Sequence, residues 1–168
     1  MKIQDDLTKY ISTALNNTLP AKTKIKTRFH LLDAIVSILT GRLLPPGQKG
    51  FNFSKNQGGA EEATLLGNNI KVSAINAAFS NGMAAHANET DDSHTKGRFH
   101  PGCAIIPTTL AIAEKENLSS EEIFKGIALG YDVGVRFTTS LGYKTPKTSI
   151  FATHSIGPIF GSAASAGE

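Results

Sequence analysis

Residues 119–136 read SSEEIFKGIALGYDVGVR and carry the strongest fold signal in the chain. Ser119 followed by Glu122 three residues later is a capping box, which marks the start of a helix. Apolar side chains then recur at helical spacing, at Ile123, Ile127, Tyr131 and Val135. Glycines repeat every fourth residue, at Gly126, Gly130 and Gly134. Because each glycine costs a helix about 1 kcal/mol relative to alanine, this stripe predicts the close approach of a second helix.

The chain before this helix alternates between helical patterns and breaks. Apolar residues spaced three and four apart predict a first helix over residues 7–15. A second helix, over residues 21–41, becomes apolar nearly all round and is expected to enter the core. Residues 45–60 are rich in glycine, lysine and asparagine and are predicted to be a connector. Residues 63–72 are predicted to be a short extended piece that turns at 67–69.

Further helices are predicted on both sides of the capping-box helix. Ser73 is a candidate N-cap for a helix that leads into a polar loop. After that loop, Pro101 and Pro107 each indicate a first helical position. A break is predicted at 142–149, and a helix rich in small residues begins near residue 155. These elements predict an all-α helical bundle that forms one domain over residues 1–168.

Composition narrows the class of protein. The 168 residues are 40% hydrophobic, which is enough for one domain with a core of its own. The balance of 17 Lys+Arg against 14 Asp+Glu leaves a net charge of +3 without a basic face, so no nucleic-acid partner is expected. No apolar run approaches the roughly 20 residues that span a membrane. With a single cysteine there is no internal disulfide, and a cytoplasmic location is expected.

Residues 85–103, AHANETDDSHTKGRFHPGC, hold most of the reactive side chains. They include three of the five histidines, two cations, the single cysteine and the carboxylates of Glu89, Asp91 and Asp92. Aspartate, serine and glycine at this density do not extend a helix, so the stretch predicts a polar loop over a pocket. Such a pocket is the default place for acid–base chemistry.

Several motifs carry a family resemblance: INAAFSNGMAAH at 75–86, DDSH at 91–94, HPG at 100–102 and GYDVGVR at 130–136. In this order they resemble the MmgE/PrpD family, which includes 2-methylcitrate dehydratase, cis-aconitate decarboxylase and iminodisuccinate epimerase. The resemblance covers nearly the whole chain from about residue 5. It implies the first part of the helical domain of that family. Family members complete this domain with C-terminal helices and add a smaller α+β domain.

The resemblance implies a cofactor-independent lyase or isomerase that acts on a small di- or tricarboxylate. Moving a proton at carbon beside a carboxylate requires a positioned base and stabilisation of the developing negative charge. His100 is the predicted base, because Pro101 holds it out of helical geometry. If the helix begins at Pro101, its positive end keeps the His100 ring neutral. Asp92 and Glu89 are the predicted acid partners, although many family members have aspartate where Glu89 stands.

Substrate binding is assigned to the donors and cations around these residues. Ser93 is expected to hydrogen-bond the substrate, and Lys96 and Arg98 are expected to attract its negative charge. The N–H of Gly102, near the start of a helix, is expected to hold a carboxylate. Neither a metal nor an organic cofactor is expected for this reaction. Three further histidines receive no role: His86, His94 and His154.

Two other functions fit the same residues. A divalent-metal protein is one, and its ligands would be Asp91, Asp92, His94 and His100. The other is a non-catalytic chain that works only with a partner, because the apolar C-terminal end looks interrupted and would leave core-facing surface uncovered. A homodimer, or association with a missing C-terminal half, is therefore expected.

Overall fold

A computed structural model describes residues 2–142 and 153–167. Most of these residues are helical, and a two-stranded antiparallel sheet lies among them. The elements in chain order are α1 (Ile3–Asn16), α2 (Ala21–Gly41), α3 (Pro45–Gln57), β1 (Ala63–Thr64), β2 (Lys71–Val72), α4 (Ala74–Ala85), α5 (Gly102–Glu116), α6 (Ser120–Ser140) and α7 (Thr153–Ala166). The all-α prediction is confirmed. The break predicted at 142–149 lies, beyond Gly142, outside the described residues.

Helix α6 packs closely against α7 through the predicted glycine stripe. A Cβ atom on Gly130 would lie 2.9 Å from the carbonyl oxygen of Gly161, and one on Gly134 would lie 2.7 Å from that of Gly157. Both distances are too short for real Cβ contacts, so any larger residue would push the two helices apart. The capping box at the start of α6 is also formed as predicted.

The connector predicted at 45–60 is wrong, because Pro45–Gln57 form helix α3. Pro45 stands in the first turn, where its missing N–H has no helical partner to lose. The two glycines inside α3 serve packing: a Cβ on Gly47 would lie 2.3 Å from the carbonyl oxygen of Gly41 in α2, and one on Gly50 would lie 3.0 Å from the Met83 side chain. Glycine therefore marks a close contact between helices here and not a loop.

Helix α2 has the predicted bounds but buries a different face. Its buried residues are mostly small: Thr27, Ala34, Ser37, Ile38 and Gly41. Its large apolar side chains are exposed and recur at alternating spacings of four and three residues: Ile25, Phe29, Leu32, Val36, Leu39 and, just beyond the helix, Leu43. This set is called the α2 stripe below. Helix α2 enters the core as expected, through Ala34 and Ile38. The expectation is wrong for most of its large apolar residues, because mainly small residues make the contact with the neighbouring helices.

Helix α5 carries the end of the polar loop into the bundle. It begins at Gly102 and runs through Pro107 without ending, so the interpretation of Pro107 as a first helical position is wrong. A proline within a helix leaves the carbonyl four residues earlier without its N–H partner. That carbonyl belongs to Cys103 and faces α4, where a Cβ on Gly82 would lie 2.9 Å from it.

The region between α3 and α4 agrees with the sequence prediction. Ala63 pairs with Val72 and Thr64 pairs with Lys71 in an antiparallel register. Ser73 then caps α4, because its side-chain oxygen accepts a backbone N–H from the first turn. None of the helices in the described part of the chain has the length and apolarity that crossing a bilayer requires.

Candidate active site

The loop between α4 and α5, residues 86–101, folds back on itself around one buried aromatic ring. The N–H of His94 donates to the carbonyl of Phe99 at 2.9 Å, and the N–H of Arg98 donates to the carbonyl of His94 at 2.7 Å. The Phe99 side chain is buried and lies against Gly157 of α7. The buried Phe99 ring anchors the loop. The carboxylates of Asp91 and Asp92, which precede it, contact two separate sets of side chains.

Asp92 is held by one group from each of three helices. His30 of α2 places Nδ1 2.8 Å from Oδ2, and the hydroxyl of Tyr131 of α6 donates to the same oxygen at 2.8 Å. The N–H of Gly102 at the start of α5 donates to Oδ1 at 2.8 Å. The backbone N–H of Asp92 itself donates to Asp33 at 3.1 Å. These contacts define the Asp92 cluster: Asp92, His30, Tyr131 and Gly102.

The electrostatics of the Asp92 cluster favour an ionised carboxylate. Burial is the largest effect and raises the pKa of Asp92, but hydrogen bonds from His30, Tyr131 and Gly102 together outweigh it. The net pKa of Asp92 is therefore below its usual value of 3.8. Burial, followed by the charge of Asp92, raises the pKa of Tyr131, so Tyr131 remains a donor. The Asp92 carboxylate thus links three helices as a charged acceptor.

Asp91 contacts a different set of residues and is more deeply buried, with its side chain only 1% exposed. Nδ1 of His86 lies 3.3 and 3.4 Å from its two carboxylate oxygens. Nδ1 of His100 lies 3.4 Å from Oδ1. These distances exceed the roughly 2.7–3.2 Å of a good N–H···O hydrogen bond. Together with Cys103, these residues form the Asp91 cluster: Asp91, His86, His100 and Cys103.

His100 lies with Asp91 and other histidines, apart from the Asp92 cluster. Its Nδ1 is buried and has no partner in hydrogen-bond geometry, although Asp91 lies within ion-pair distance. Its ring stacks on His154 of α7 at 5.6 Å between centroids and meets the ring of His86 edge-on at 5.1 Å. Asp91 is therefore the carboxylate beside the predicted base, where the sequence interpretation preferred Asp92.

Cys103 is a neutral thiol in this cluster. Burial, followed by the nearby Asp91 carboxylate, raises its pKa to about 12. Its Sγ donates to the carbonyl of His100 at 3.2 Å. A thiol with such a pKa holds very little thiolate near pH 7, so Cys103 is not an activated nucleophile.

Glu89 belongs to the edge of the Asp91 cluster. Its side chain is 71% exposed, and Oε1 lies 3.5 Å from Nε2 of His86. The backbone of Glu89 has a φ of 56°, an uncommon conformation for a residue other than glycine. Glu89 therefore reaches the cluster through His86, and its catalytic role stays a prediction.

The predicted substrate-binding residues are spread over the loop. Ser93, Lys96 and Arg98 are exposed. The carbonyl of Arg98 accepts a hydrogen bond from Thr153 of α7 at 2.5 Å, which ties the loop to that helix. The N–H of Gly102 is already engaged by Asp92, so the idea that it holds a substrate carboxylate requires revision. The side-chain roles of the three exposed residues stay predictions.

The four ligands of the metal hypothesis do not come together. Nδ1 of His94 accepts the N–H of Gly97 at 2.9 Å, and Asp92 is engaged in its own cluster. Within the described ranges, the group of at least three close donor atoms consists of His86, Asp91 and Cys103. The set proposed from the sequence, with Asp92 and His94, is therefore corrected.

Sequence reasoning left several of these residues without a role. His86, Asp91 and His154 surround His100, while His30 and Tyr131 hold Asp92. His86 and Asp91 carried a usable signal, since both lie in the polar loop or at its start. The other three lie on distant helices, and no local pattern connects them to the loop.

A cavity of about 410 Å³ lies between α2 and α6. His30 and Tyr131 line it on the side of the Asp92 cluster, and Lys22 and Lys26 contribute positive charge. The cavity therefore borders the Asp92 cluster. At the edge of the Asp91 cluster, Glu89 and His154 are exposed.

The structure is a helical bundle in which a loop rich in histidine and aspartate lies between α4 and α5. The chain matches the family model described as MmgE/PrpD N-terminal domain over residues 5–168. It therefore belongs to the MmgE/PrpD family and represents its N-terminal domain. No curated protein matches the chain with significant similarity.

Proposed function

We propose that this chain provides the proton-transfer residues of a lyase or isomerase that acts on a small di- or tricarboxylate. His100 is the base, and Asp91 is the positioning residue that orients it. The single observation that carries the proposal is the 3.4 Å approach of the buried His100 Nδ1 to the buried Asp91 carboxylate. Membership of the MmgE/PrpD family supports the class of substrate.

The geometry suits a histidine base oriented by a carboxylate. A carboxylate beside Nδ1 favours the tautomer with the proton on that nitrogen, which leaves the Nε2 lone pair for the substrate. The base then takes a proton from the carbon beside a substrate carboxylate, and the electron pair left on carbon is delocalised into that carboxylate. Hydrogen bonds of this kind are often long before substrate binds and tighten afterwards. The present distance of 3.4 Å therefore agrees with the role.

Elimination also needs a proton donor for the leaving hydroxyl. His154, stacked on His100, and His86, which lies between Asp91 and Glu89, are the ring donors near the base. The exposed cations Lys96 and Arg98 on the same loop favour the approach of a polyanion. Dehydration, decarboxylation and epimerisation share the first step and differ in which bond of the substrate breaks next.

Replacement of His100 by glutamine tests the assignment. We expect His100→Gln to lower kcat/KM by about 10²–10⁴-fold, because general base catalysis contributes a factor of that order. The assay follows 2-methylcitrate, cis-aconitate and iminodisuccinate, with circular dichroism to confirm folding. His94→Gln is the matched control, since His94 lies on the same loop with its Nδ1 bound to Gly97. Full activity of a folded His100→Gln variant would end the assignment, and a folded wild-type chain that turns over none of the three would end the enzymatic proposal.

A second candidate function is association through the α2 stripe. Phe29 is 67% exposed and Leu32 is 58% exposed in the middle of that stripe. Alternating spacings of four and three residues are typical of a seam that packs against another helix. We propose that the stripe pairs with the stripe of a second copy and forms a homodimer.

Disruption of the stripe tests this association. We expect the wild-type chain to show the mass of a dimer by light scattering and the Phe29→Glu/Leu32→Glu variant to show that of a monomer, because two buried charges from each copy would be unpaired in the interface. Ile3→Glu is the control, since Ile3 is 84% exposed on α1 outside the stripe. A monomeric wild-type chain, or a variant that remains dimeric, would contradict the proposal.

A further inference from the structure

The Asp91 cluster has a property that the proposed proton transfer does not require. One donor atom each from His86, Asp91 and Cys103 lie within 4.8 Å of one another. Imidazole nitrogen, carboxylate oxygen and cysteine sulfur are the three donor types that Zn²⁺ binds in proteins. The proposed reaction gives Cys103 no role, although its sulfur stands beside Asp91.

The histidine–aspartate distances within the cluster are longer than good hydrogen bonds and match the spacing of ligand atoms around an ion. Neighbouring ligand atoms around a tetrahedral ion with bonds of about 2.0–2.3 Å lie about 3.3–3.8 Å apart. The His86–Asp91 distances are 3.3 and 3.4 Å, and the His100–Asp91 distance is 3.4 Å. In the Asp92 cluster, by contrast, the three contacts of the carboxylate are all 2.8 Å. Asp92 is thus satisfied by hydrogen bonds, and Asp91 is not satisfied to the same degree.

Burial adds an independent reason for a cation at this place. The Asp91 side chain is 1% exposed and interacts with the Cys103 thiol, but its histidine contacts are longer than good hydrogen bonds, and incomplete pairing of a buried carboxylate is costly. The buried Nδ1 of His100, without a hydrogen-bond partner, faces the same carboxylate. A sulfur ligand favours ions such as Zn²⁺ over Mg²⁺ or Ca²⁺, which prefer oxygen.

We propose that His86, Asp91 and Cys103 form a binding site for a divalent ion of the zinc class. When the sulfur binds the ion, the Cys103 thiol releases its proton to solvent. The site differs from the ligand set considered from the sequence, because His86 and Cys103 replace Asp92 and His94. Its occupation does not depend on the proposed reaction, but a bound ion would compete with His100 for Asp91.

Cobalt(II) alone is the probe for this site. Because the chain contains a single cysteine, a thiolate-to-cobalt charge-transfer band reports on Cys103 and on no other residue. The metal-free 168-residue chain is titrated with CoCl₂ and followed by absorption. We expect this band to saturate at one ion per chain, and addition of ZnCl₂ to abolish it.

Three variants locate the ion. Cys103→Ser, nearly isosteric, should abolish the charge-transfer band, and His86→Ala should weaken cobalt binding at least about tenfold. His94→Ala is the matched control and should bind as the wild type does, since His94 lies outside the cluster. Circular dichroism of each variant confirms that it is folded.

The outcomes separate this site from the proposed enzyme activity. A folded wild-type chain without the charge-transfer band would overturn the site, whatever its turnover. Binding of unchanged strength in His86→Ala would overturn it as well, because Cys103 would then bind cobalt without its predicted neighbour. A charge-transfer band in a chain without turnover would support the metal site while the enzymatic proposal fails.

Discussion

Asp91 and Asp92 are neighbours in sequence, yet they have contrasting surroundings. Asp92 accepts three contacts of 2.8 Å from three helices. Asp91 is more buried, and its closest histidine contacts are 3.3 to 3.4 Å long. One carboxylate is thus saturated with partners, while the other is surrounded by groups that can exchange protons or bind an ion.

The contrast suggests that one carboxylate of this loop stabilises the fold and that the other takes part in function. A carboxylate whose acceptor capacity is filled by fixed donors stabilises the fold and has little left for a ligand. A buried carboxylate with long contacts to imidazoles is costly to the fold, and such residues are typical of functional sites. We therefore assign positioning of the base to Asp91 and anchoring of the loop to Asp92.

Among the variants that compare the two carboxylates, Asp91→Asn is expected to give the largest effect. Asparagine preserves the shape of the side chain but lacks the negative charge that stabilises an imidazolium, and its amide N–H can favour the wrong His100 tautomer, so kcat should fall about 10²-fold. KM should change little, because Asp91 is proposed to act through His100 and not on the substrate. Steady-state kinetics on the best of the three substrates measures kcat and KM separately. A kcat equal to that of the wild type would contradict the proposed positioning role of Asp91.

The Asp92→Asn variant is the matched counterpart. We expect it to lower the free energy of unfolding by about 2–3 kcal/mol, because the charge of the acceptor is lost and an amide NH₂ replaces one of the two oxygens that accept from three helices. kcat should stay within a few-fold of the wild-type value. Urea unfolding followed by circular dichroism measures the stability. If Asp92→Asn instead abolished turnover in a stable chain, the cavity lined by His30 and Tyr131 would become the better candidate site and the assignment of the two carboxylates would reverse.

The difference in unfolding free energy between wild type and Asp92→Asn should depend on pH, and this dependence tests whether the charge of Asp92 is responsible for it. Folding lowers the pKa of Asp92, so its contribution is fully present above the usual value of 3.8 and is lost as the pH falls below that value through the lowered pKa. The difference between wild type and Asp92→Asn should therefore be complete near pH 7 and shrink below pH 3.8. A difference that does not change with pH would show that the charge of Asp92 is not what stabilises the fold.

Much of the fold was predictable because its signals are local. The capping box of α6 and the Ser73 cap of α4 each act within a few residues, and the glycine stripe is visible as a regular repeat within one helix. Helix α3 was missed because Gly47 suggests a loop in the sequence, whereas it allows a close contact with Gly41 in another helix. The buried face of α2 was misjudged for a similar reason, since residue size decided which face its neighbours could approach.

The candidate site was predictable as a segment but not as an arrangement. The polar loop and His100 follow from residue types and from the family resemblance. Which aspartate faces His100 depends on the turn anchored by Phe99 and on the donors His30 and Tyr131. Those donors reach the loop only through the packing of α2 and α6, so no local pattern distinguishes Asp91 from Asp92.

The smallest expected effect is on the rate at which the Cys103 thiol is labelled. This rate compares the influence of Asp91 with that of Asp92 on a single sulfur atom. Burial raises the pKa of this thiol to about 12, and the charge of Asp91 contributes more to the rise than that of Asp92. At pH 8 only about one thiol in 10⁴ is then ionised, so labelling by an aromatic disulfide reagent should be slow in the native chain. Asp91→Asn should speed labelling several-fold and Asp92→Asn less, with the urea-unfolded chain as the reference for an unperturbed thiol. Equal labelling rates in the two variants would mean that Asp91 and Asp92 affect the pKa of the thiol equally. The contrast between the two carboxylates would then not apply to their effect on Cys103.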